Sequence, residues 1–360
     1  MDIPDYIEED LERIITNCDY EFSKLSGEKL LLTGCAGFLG YYFSLIFAYW
    51  NNNNDSKISC VFQDNFIRGK PSWLNQIEKN ESVTVQNFDV LNRYENFDFT
   101  NVIHAASIAS PIYYRQFPIE TMDANVNGLR NLLESQQEFK RKFNVKTNFL
   151  YFSTSEIYGD PPASEIPTSE EYRGNVSCTG PRACYDESKR YGETLCVNFV
   201  RSRDLRATIA RPFNNYGPGL SILDGRVIPD FADSIIKNKK IKMFSDGSPT
   251  RTFCYISDAI EGYIKVLVSG KSGNSYNIGN DKPEISMLEL ARSMKSICKE
   301  NSNLDIKIQK EISSDVDYLV DNPNRRCPNI EKARTELNFN PSVSFEKGLE
   351  NTMKYYGILK

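Results

Sequence analysis

Short apolar runs alternate with longer helical patterns from residue 29 onward. Six runs are rich in Val, Ile, Phe or Leu, which is typical of buried strands, and they read KLLLTG, ISCVFQD, VTVQNFDV, NVIHAAS, TNFLYFST and RATIARPF. Helical patterns lie between several of them, at 40–50, 126–143 and 187–203. This alternation predicts an α/β fold with a Rossmann-like, doubly wound parallel sheet that has helices on both faces.

The two ends of the chain depart from this alternation. Ile7, Leu11, Ile14 and Cys18 recur at helical spacing, so residues 5–18 are predicted to form an amphipathic helix. After about residue 213 the chain becomes richer in Gly, Pro, Ser and Asp, with helical patterns near 228–238, 258–267 and 287–298. We therefore predict an N-terminal helical extension (1–27), a Rossmann domain (28–212) and a smaller C-terminal α/β lobe (213–360), from which a segment near 274–280 returns to the Rossmann domain.

Composition narrows the classes of function. The net charge of −5 and the pI near 5.3 argue against a nucleic-acid or membrane-surface binder, which would need a basic face. No apolar run approaches the ~20 residues that cross a bilayer, and the start, MDIPDYIEEDLERII, is acidic where a signal peptide would be basic. The nine cysteines are scattered and form no C-x-x-C pair. We therefore expect no metal site, no disulfide framework and a cytoplasmic protein with reduced thiols.

The chain has a single histidine, His104. A Ser-His-Asp or Cys-His enzyme would have to use it. Because it lies in the strand-like run NVIHAAS, we expect a structural role at a strand end instead of catalysis.

A glycine-rich turn follows the first predicted strand. Gly34, Gly37 and Gly40 are spaced G-x-x-G-x-x-G and lead into a helix, so backbone N–H groups can approach a pyrophosphate. Asp64 ends the second strand, where a carboxylate accepts hydrogen bonds from ribose hydroxyls and repels a 2′-phosphate. The turn and Asp64 predict a dinucleotide site that prefers NAD. NADP remains an alternative, because Arg68 lies four residues after Asp64 and an arginine can accommodate its 2′-phosphate.

Three Y-x-x-x-K matches occur in the chain, which are Tyr20/Lys24, Tyr185/Lys189 and Tyr356/Lys360. The motif alone carries little weight, but the middle match follows the fifth strand and opens a long helix. One helical turn separates its two side chains, so both lie on one face. A nearby ammonium lowers the pKa of a tyrosine, which lets a phenolate act as base near neutral pH.

The fifth strand runs into the segment 153–159, STSEIYG. Ligands collect at the carboxyl ends of strands in a doubly wound sheet, so Thr154 and Glu156 are predicted beside a substrate. A threonine there can hydrogen-bond a sugar hydroxyl, and a glutamate can handle a proton on the sugar ring. An N-cap threonine and a solvated glutamate are the alternative.

These motifs together resemble the extended short-chain dehydrogenases that act on nucleotide-sugars, the epimerase/dehydratase family. Within that group the chain most resembles the UDP-glucuronate decarboxylases, or UDP-xylose synthases. The matching stretches span residues 30–350 and are DNFIRG (64–69), ASPIYY (109–114), STSEIYGDP (153–161), GPRACYDESKR (180–190), DGRVIPDF (224–231), TRTFCYISD (250–258) and NPNRRCPNIEKARTELNF (322–339). One departure is Gly219, where the family usually has arginine.

The resemblance implies roles for particular residues. It assigns catalysis to Thr154, Glu156, Tyr185 and Lys189, and it places Arg251 in the catalytic set beside the sugar carboxylate. The cofactor contacts that we expect are Gly34, Gly37, Phe38, Leu39, Gly40, Asp64, Asn65, Asp89, Val90, Ala105, Ala106, Tyr185, Lys189 and Pro212. The substrate contacts that we expect are Ser107, Tyr114, Ser155, Arg182, Val227 and Arg251, with Asn214, Arg226 and Arg325 in the nucleotide-diphosphate site.

The implied activity is oxidation of the sugar at C4 with retained NAD, followed by decarboxylation of UDP-glucuronate to UDP-xylose by a homodimer. A nucleotide-sugar 4,6-dehydratase or another 4-keto-forming enzyme is an alternative, because GDP-mannose-type dehydratases also carry an S-T-S-E segment. A 4-epimerase remains a further alternative, although epimerases usually carry small residues at the position of Glu156. A non-catalytic NAD-binding scaffold is the alternative from a different class.

Overall fold

The computed structural model describes residues 3–311 and 323–360. Residues 1, 2 and 322, which belong to the predicted extension and to one matching stretch, lie outside the described residues. The described strands, in chain order, are β1 (Lys29–Thr33), β2 (Ser59–Asp64), β3 (Val83–Asn87), β4 (Asn101–His104), β5 (Asn148–Phe152), β6 (Ala207–Pro212), β7 (Asn215–Tyr216), β8 (Lys240–Met243), β9 (Thr250–Arg251), β10 (Cys254–Tyr255), β11 (Ser275–Ile278), β12 (Ile285–Ser286), β13 (Lys307–Lys310) and β14 (Arg325–Arg326).

The described helices connect these strands. In chain order the α-helices are α1 (Asp5–Asn17), α2 (Asp19–Leu25), α3 (Phe38–Asn53), α4 (Leu74–Ile77), α5 (Pro111–Gln116), α6 (Pro118–Asp123), α7 (Leu129–Phe143), α8 (Ala183–Arg203), α9 (Val227–Asn238), α10 (Ile256–Ser269), α11 (Met287–Ser302), α12 (Glu331–Leu337) and α13 (Phe345–Tyr355). A π-helical turn (Ala124–Gly128) joins α6 to α7, and 3₁₀ turns lie at Ser155–Tyr158 and Ala163–Glu165. Among the described residues no helix is long and apolar enough to span a bilayer.

A seven-stranded sheet forms the centre of the fold. Its order is β3-β2-β1-β4-β5-β6-β11, and all its pairings are parallel. Helices cover both faces, so apolar runs such as Leu30–Leu32 are fully buried. The predicted doubly wound Rossmann-like sheet is confirmed, and the strand order reverses between β1 and β4. Ligands bind at such a switch point, beyond the carboxyl ends of the strands.

The N-terminal extension is part of the core. Ile7, Leu11 and Ile14 of α1 are fully buried, as the helical spacing predicted. Arg13 donates to Asp258 of α10 at 2.8 Å, which joins the extension to a helix that packs on the sheet. The structure thus places this helix against α3 and α10.

Short strand pairs build the smaller lobe. β8 pairs with β13, β7 with β10, and β9 lies between β12 and β14. The segment predicted near 274–280 forms β11, which pairs with β6 at the edge of the central sheet. The predicted boundaries of the three parts stay a proposal, although the return of β11 to the sheet agrees with them.

Candidate active site

The turn after β1 leaves no room for a side chain at Gly34 or Gly40. Gly34 has φ +76°, and a Cβ there would lie 2.7 Å from the backbone of Ala105 and Ala106 after β4. A Cβ on Gly40 would overlap the carbonyl of Gly34. Helix α3 begins directly after Gly37 with no side-chain cap, so its first N–H groups are available to an anion. The turn therefore fits the pyrophosphate of a dinucleotide.

Two aspartates follow the neighbouring strands β2 and β3. The Asp64 carboxylate accepts hydrogen bonds from the N–H groups of Ala36 (3.1 Å) and Phe66 (2.9 Å), and burial raises its pKa. Asn65 donates to Asp89 at 3.0 Å, which ties the two loops together. The other predicted cofactor contacts lie along the same edge, with Phe38 and Leu39 opening α3, Val90 packed near the π-helical turn, Ala105 and Ala106 after β4, and Pro212 ending β6.

Tyr185 and Lys189 both lie buried in the first turns of α8. The Lys189 ammonium donates to the carbonyl of Phe152 at 2.8 Å and lies 5.7 Å from the centre of the Tyr185 ring. Burial lowers the pKa of Lys189 to about 7. Burial also raises the pKa of Tyr185 to about 12, against the lowering effects of the Arg226 guanidinium and the Thr154 hydroxyl. The cation that most favours the phenolate is thus Arg226, where we expected Lys189.

The ring of Tyr114 stacks on that of Tyr185, with centroids 5.0 Å apart and planes at 11°. Among the described residues the buried Tyr114 hydroxyl has no hydrogen-bond partner. Such a group is costly unless a ligand or water satisfies it. Tyr114 is thus placed to contact a polar ligand beside Tyr185.

The STSE segment forms a 3₁₀ turn after β5. The Thr154 hydroxyl accepts from the N–H of Glu156 at 3.2 Å, so Thr154 is an N-cap as well as a neighbour of Tyr185. Ser155 is buried in the same turn. The glutamate side chain is only 18% exposed, so the alternative of a solvated glutamate does not hold.

Two arginines meet the Glu156 carboxylate. Arg182, just before α8, forms a short ion pair with its Oε2 atom, and Arg326 of β14 donates to the same atom at 2.6 Å. Burial alone would raise the pKa of Glu156, but the guanidiniums of Arg182, Arg326 and Arg251 lower it. Glu156 is therefore held in its ionised form.

Arg251 lies beside Arg326. The two residues are register partners in β9 and β14, so their Cα atoms are about 4.8 Å apart. The Arg251 guanidinium donates to the carbonyls of Thr250 (2.7 Å) and Pro323 (2.6 Å) and is almost fully buried. Burial and the charge of Arg326 lower the pKa of Arg251 to about 9.

The three residues predicted for the nucleotide-diphosphate site differ in their contacts. Arg226 forms an ion pair with Asp224 at 2.9 Å and acts electrostatically on Tyr185, and the amide of Asn214 donates to the carbonyl of Thr252 at 2.8 Å. The remaining predicted substrate residues are Val227, which begins α9, and Ser107, which donates to Asn125 at 2.7 Å.

Arg325 is not brought to the site. Its side chain is 43% exposed and pairs with Glu284 at 2.7 Å. Arg326, which sequence reasoning missed, contacts Glu156 instead. Adjacent residues of a strand point to opposite faces, so only one of Arg325 and Arg326 can face the site. The sequence could not show which one, because a strand of two residues has no visible period.

His104 has a structural role. Its Nδ1 atom lies 2.8 Å from the hydroxyl of Thr33 in the neighbouring strand, and burial lowers its pKa to about 3. The ring is therefore neutral and links β4 to β1, as expected of a residue at a strand end.

Comparisons with known proteins agree on one family. A model of the NAD dependent epimerase/dehydratase family matches residues 30–279. UDP-glucuronic acid decarboxylase 6 of Arabidopsis thaliana is 34% identical over 324 residues, which are 90% of this chain and 87% of that protein. UDP-glucuronic acid decarboxylase 1 of Xenopus tropicalis is 32% identical over 334 residues, which are 93% of this chain and 73% of that protein.

Solved structures of other proteins share this fold. UDP-glucuronic acid 4-epimerase of Bacillus cereus, in complex with UDP-glucuronic acid and NAD, superposes with a TM-score of 0.71 at 26% identity, covering 91% of this chain and 99% of that chain. A dTDP-glucose 4,6-dehydratase of Streptomyces venezuelae with NAD bound gives a TM-score of 0.77 at 21% identity, covering 91% and 97% of the two chains, and shows the fold alone.

Proposed function

Because this chain belongs to the NAD-dependent epimerase/dehydratase family, we propose that it removes carbon dioxide from UDP-glucuronate and releases UDP-xylose. The observation that carries the proposal is the pair of guanidiniums on neighbouring strands beside Glu156, which belong to the buried Arg251 and to Arg326, whose side chain is 11% exposed. Guanidinium groups form strong charge-assisted hydrogen bonds with carboxylates. A sugar carboxylate can therefore bind at Arg251, whereas a neutral hexose has no such group.

The cofactor of the reaction is NAD, which supplies the oxidant at C4 of the sugar and afterwards the reductant that restores the C4 hydroxyl. The glycine turn and Asp64 would hold it, since α3 begins at the turn without a side-chain cap and its first N–H groups can bind a pyrophosphate. Burial raises the pKa of Tyr185 to about 12, and Arg226 and Thr154 oppose this rise. We assign Tyr185 as the base that takes the proton of the C4 hydroxyl. Lys189 is buried one helical turn after Tyr185 on α8.

The chemistry of the substrate makes decarboxylation accessible once C4 is a ketone. The C6 carboxylate is then β to the ketone, so carbon dioxide can leave while an enolate forms. The hydroxyls of Thr154 and Tyr185 can stabilise the developing oxyanion. Glu156 is held ionised by its arginines, so it assists protonation at C5 through a water and does not donate the proton itself.

A 4,6-dehydratase is the second candidate, and the same ionised Glu156 supports it, because dehydration needs a base that removes the C5 proton. The two functions differ in their products. Purified protein is incubated with nucleotide-uronates and neutral nucleotide-hexoses, and the product masses are read. Loss of carbon dioxide from UDP-glucuronate supports our proposal, whereas loss of water from a hexose with no reaction of any uronate supports the dehydratase.

We also propose a cytoplasmic homodimer. Ile119 and Met122 of α6 and Tyr191 of α8 expose 65%, 43% and 46% of their surface. Tyr191 lies on α8, on which α6 packs, and the resemblance to the family implies that α7 and α8 pair between subunits. Burial of such an apolar patch favours association. All nine cysteines are free thiols, which is typical of a reducing compartment.

A further inference from the structure

Glu156 is clamped by two arginines that come from distant parts of the chain. Arg182 precedes α8 and is 26 residues away, and Arg326 of the smaller lobe is 170 residues away. Both donate to the same atom, Oε2. Among the described residues no donor bonds to Oε1, so this oxygen is left for a ligand or a water.

The charges around Glu156 come from several elements. Besides the two arginines of the clamp, Arg251 on β9 and Arg226 before α9 act on it electrostatically. Asp186 of α8 lies 3.8 Å from Arg182. Two guanidiniums contact Oε2 directly. They belong to Arg182 and Arg326, whose side chains are only 13% and 11% exposed.

We propose that Arg182 and Arg326 are positioning residues that act on the reaction through Glu156, fixing Oε2 so that Oε1 faces C5 of the sugar. The pairing of β14 with β9 brings Arg326 to this site. The smaller lobe thus completes a group on the Rossmann domain. The inference rests on the proposed function only in naming C5, because the clamp itself is independent of which sugar is bound.

The test is a double-mutant cycle with Glu156→Gln, Arg326→Gln and both changes together. Arg326→Gln should lower kcat about 10- to 100-fold, which is typical of losing a group that holds a reacting residue in place. It should change KM little and move the acidic limb of the kcat profile to higher pH, because Glu156 loses a compensating cation. In the Glu156→Gln background the same change should cost less than about 3-fold.

Arg334→Gln is the matched control, since Arg334 forms a comparable pair with Asp281 at 2.9 Å away from the site. It should leave kcat and its pH profile as in the wild type. Arg326→Lys restores a cation and should return part of the pH shift. Thermal melting and bound NAD are measured on every variant, and Arg182→Gln replaces Arg326→Gln if the latter does not fold.

An equal loss of kcat from Arg326→Gln in both backgrounds would overturn the proposal, because the arginine would then act independently of Glu156. An unchanged pH profile would overturn it as well. The cycle uses whichever nucleotide-sugar the wild type turns over. Failure of UDP-glucuronate as substrate would therefore reject the proposed function and still leave the clamp testable.

Discussion

Replacing Lys189 with methionine should stabilise the protein in the absence of cofactor, although it removes a proposed catalytic group. The side chain is 3% exposed, and burial lowers its pKa from 10.5 to about 7. At about 1.4 kcal/mol per pKa unit, this difference corresponds to about 5 kcal/mol of unfolding free energy. Methionine forfeits the 2.8 Å hydrogen bond to Phe152, which is worth about 1–3 kcal/mol, so a net gain of about 2–4 kcal/mol remains.

The gain should depend on pH in a defined direction. Between pH 7 and 10.5 the unfolded chain binds a proton at this lysine that the folded protein does not, so the wild type becomes more stable as the pH rises. The advantage of Lys189→Met should thus be complete below pH 7 and shrink toward pH 10.5. Urea unfolding of NAD-free protein at several pH values measures both effects.

Lys265→Met is the matched control. Lys265 is also buried, but its ammonium pairs with Glu261 at 2.8 Å, and Glu261 is 3% exposed. Removing this partner leaves the buried carboxylate with only Asn17 at 2.8 Å and Arg13 at 3.8 Å, so the change should destabilise the protein. If Lys189→Met is less stable than the wild type at pH 7, or if its effect does not change with pH, the reasoning from burial is refuted.

Further predictions concern cofactor, chemistry and assembly. Tyr185→Phe should keep the stack on Tyr114 and NAD binding but lower turnover ~10²–10⁴-fold in a rate assay. Asp64→Asn should narrow the preference for NAD over NADP in calorimetric titrations, and equal wild-type binding of both cofactors would reject the role of Asp64. Arg251→Lys should still reduce its NAD with UDP-glucuronate, seen by absorbance, but release carbon dioxide far more slowly. Ile119→Glu should shift the mass in light scattering from dimer toward monomer.

The sequence predicted the fold well because the fold depends on regular patterns. The six apolar runs become β1 to β6, and the turn at Gly34 is imposed by the backbone of Ala105 and Ala106. The spacing of Ile7, Leu11 and Ile14 correctly predicted α1. Periodicity and steric requirements of this kind can be recognised from residues that are close together in the sequence.

The electrostatics of the site could not be predicted in the same way. Arg326 and Glu156 are 170 residues apart, and their contact depends on the pairing of two very short strands. The sequence suggested that Lys189 would favour the phenolate of Tyr185, but burial moves this lysine toward its neutral form, and Arg226 has the larger effect. Burial and long-range contacts decide these charges, and neither has a local signature.

Release of carbon dioxide tests the central claim most directly. UDP-glucuronate labelled with ¹³C at its carboxylate is mixed with excess holoenzyme for a single turnover, and both gas and nucleotide-sugar are analysed by mass spectrometry. Our account predicts one equivalent of ¹³CO₂ for each unlabelled UDP-pentose formed. A product that keeps the label, or no turnover of the uronate alongside loss of water from a neutral nucleotide-hexose, would contradict it.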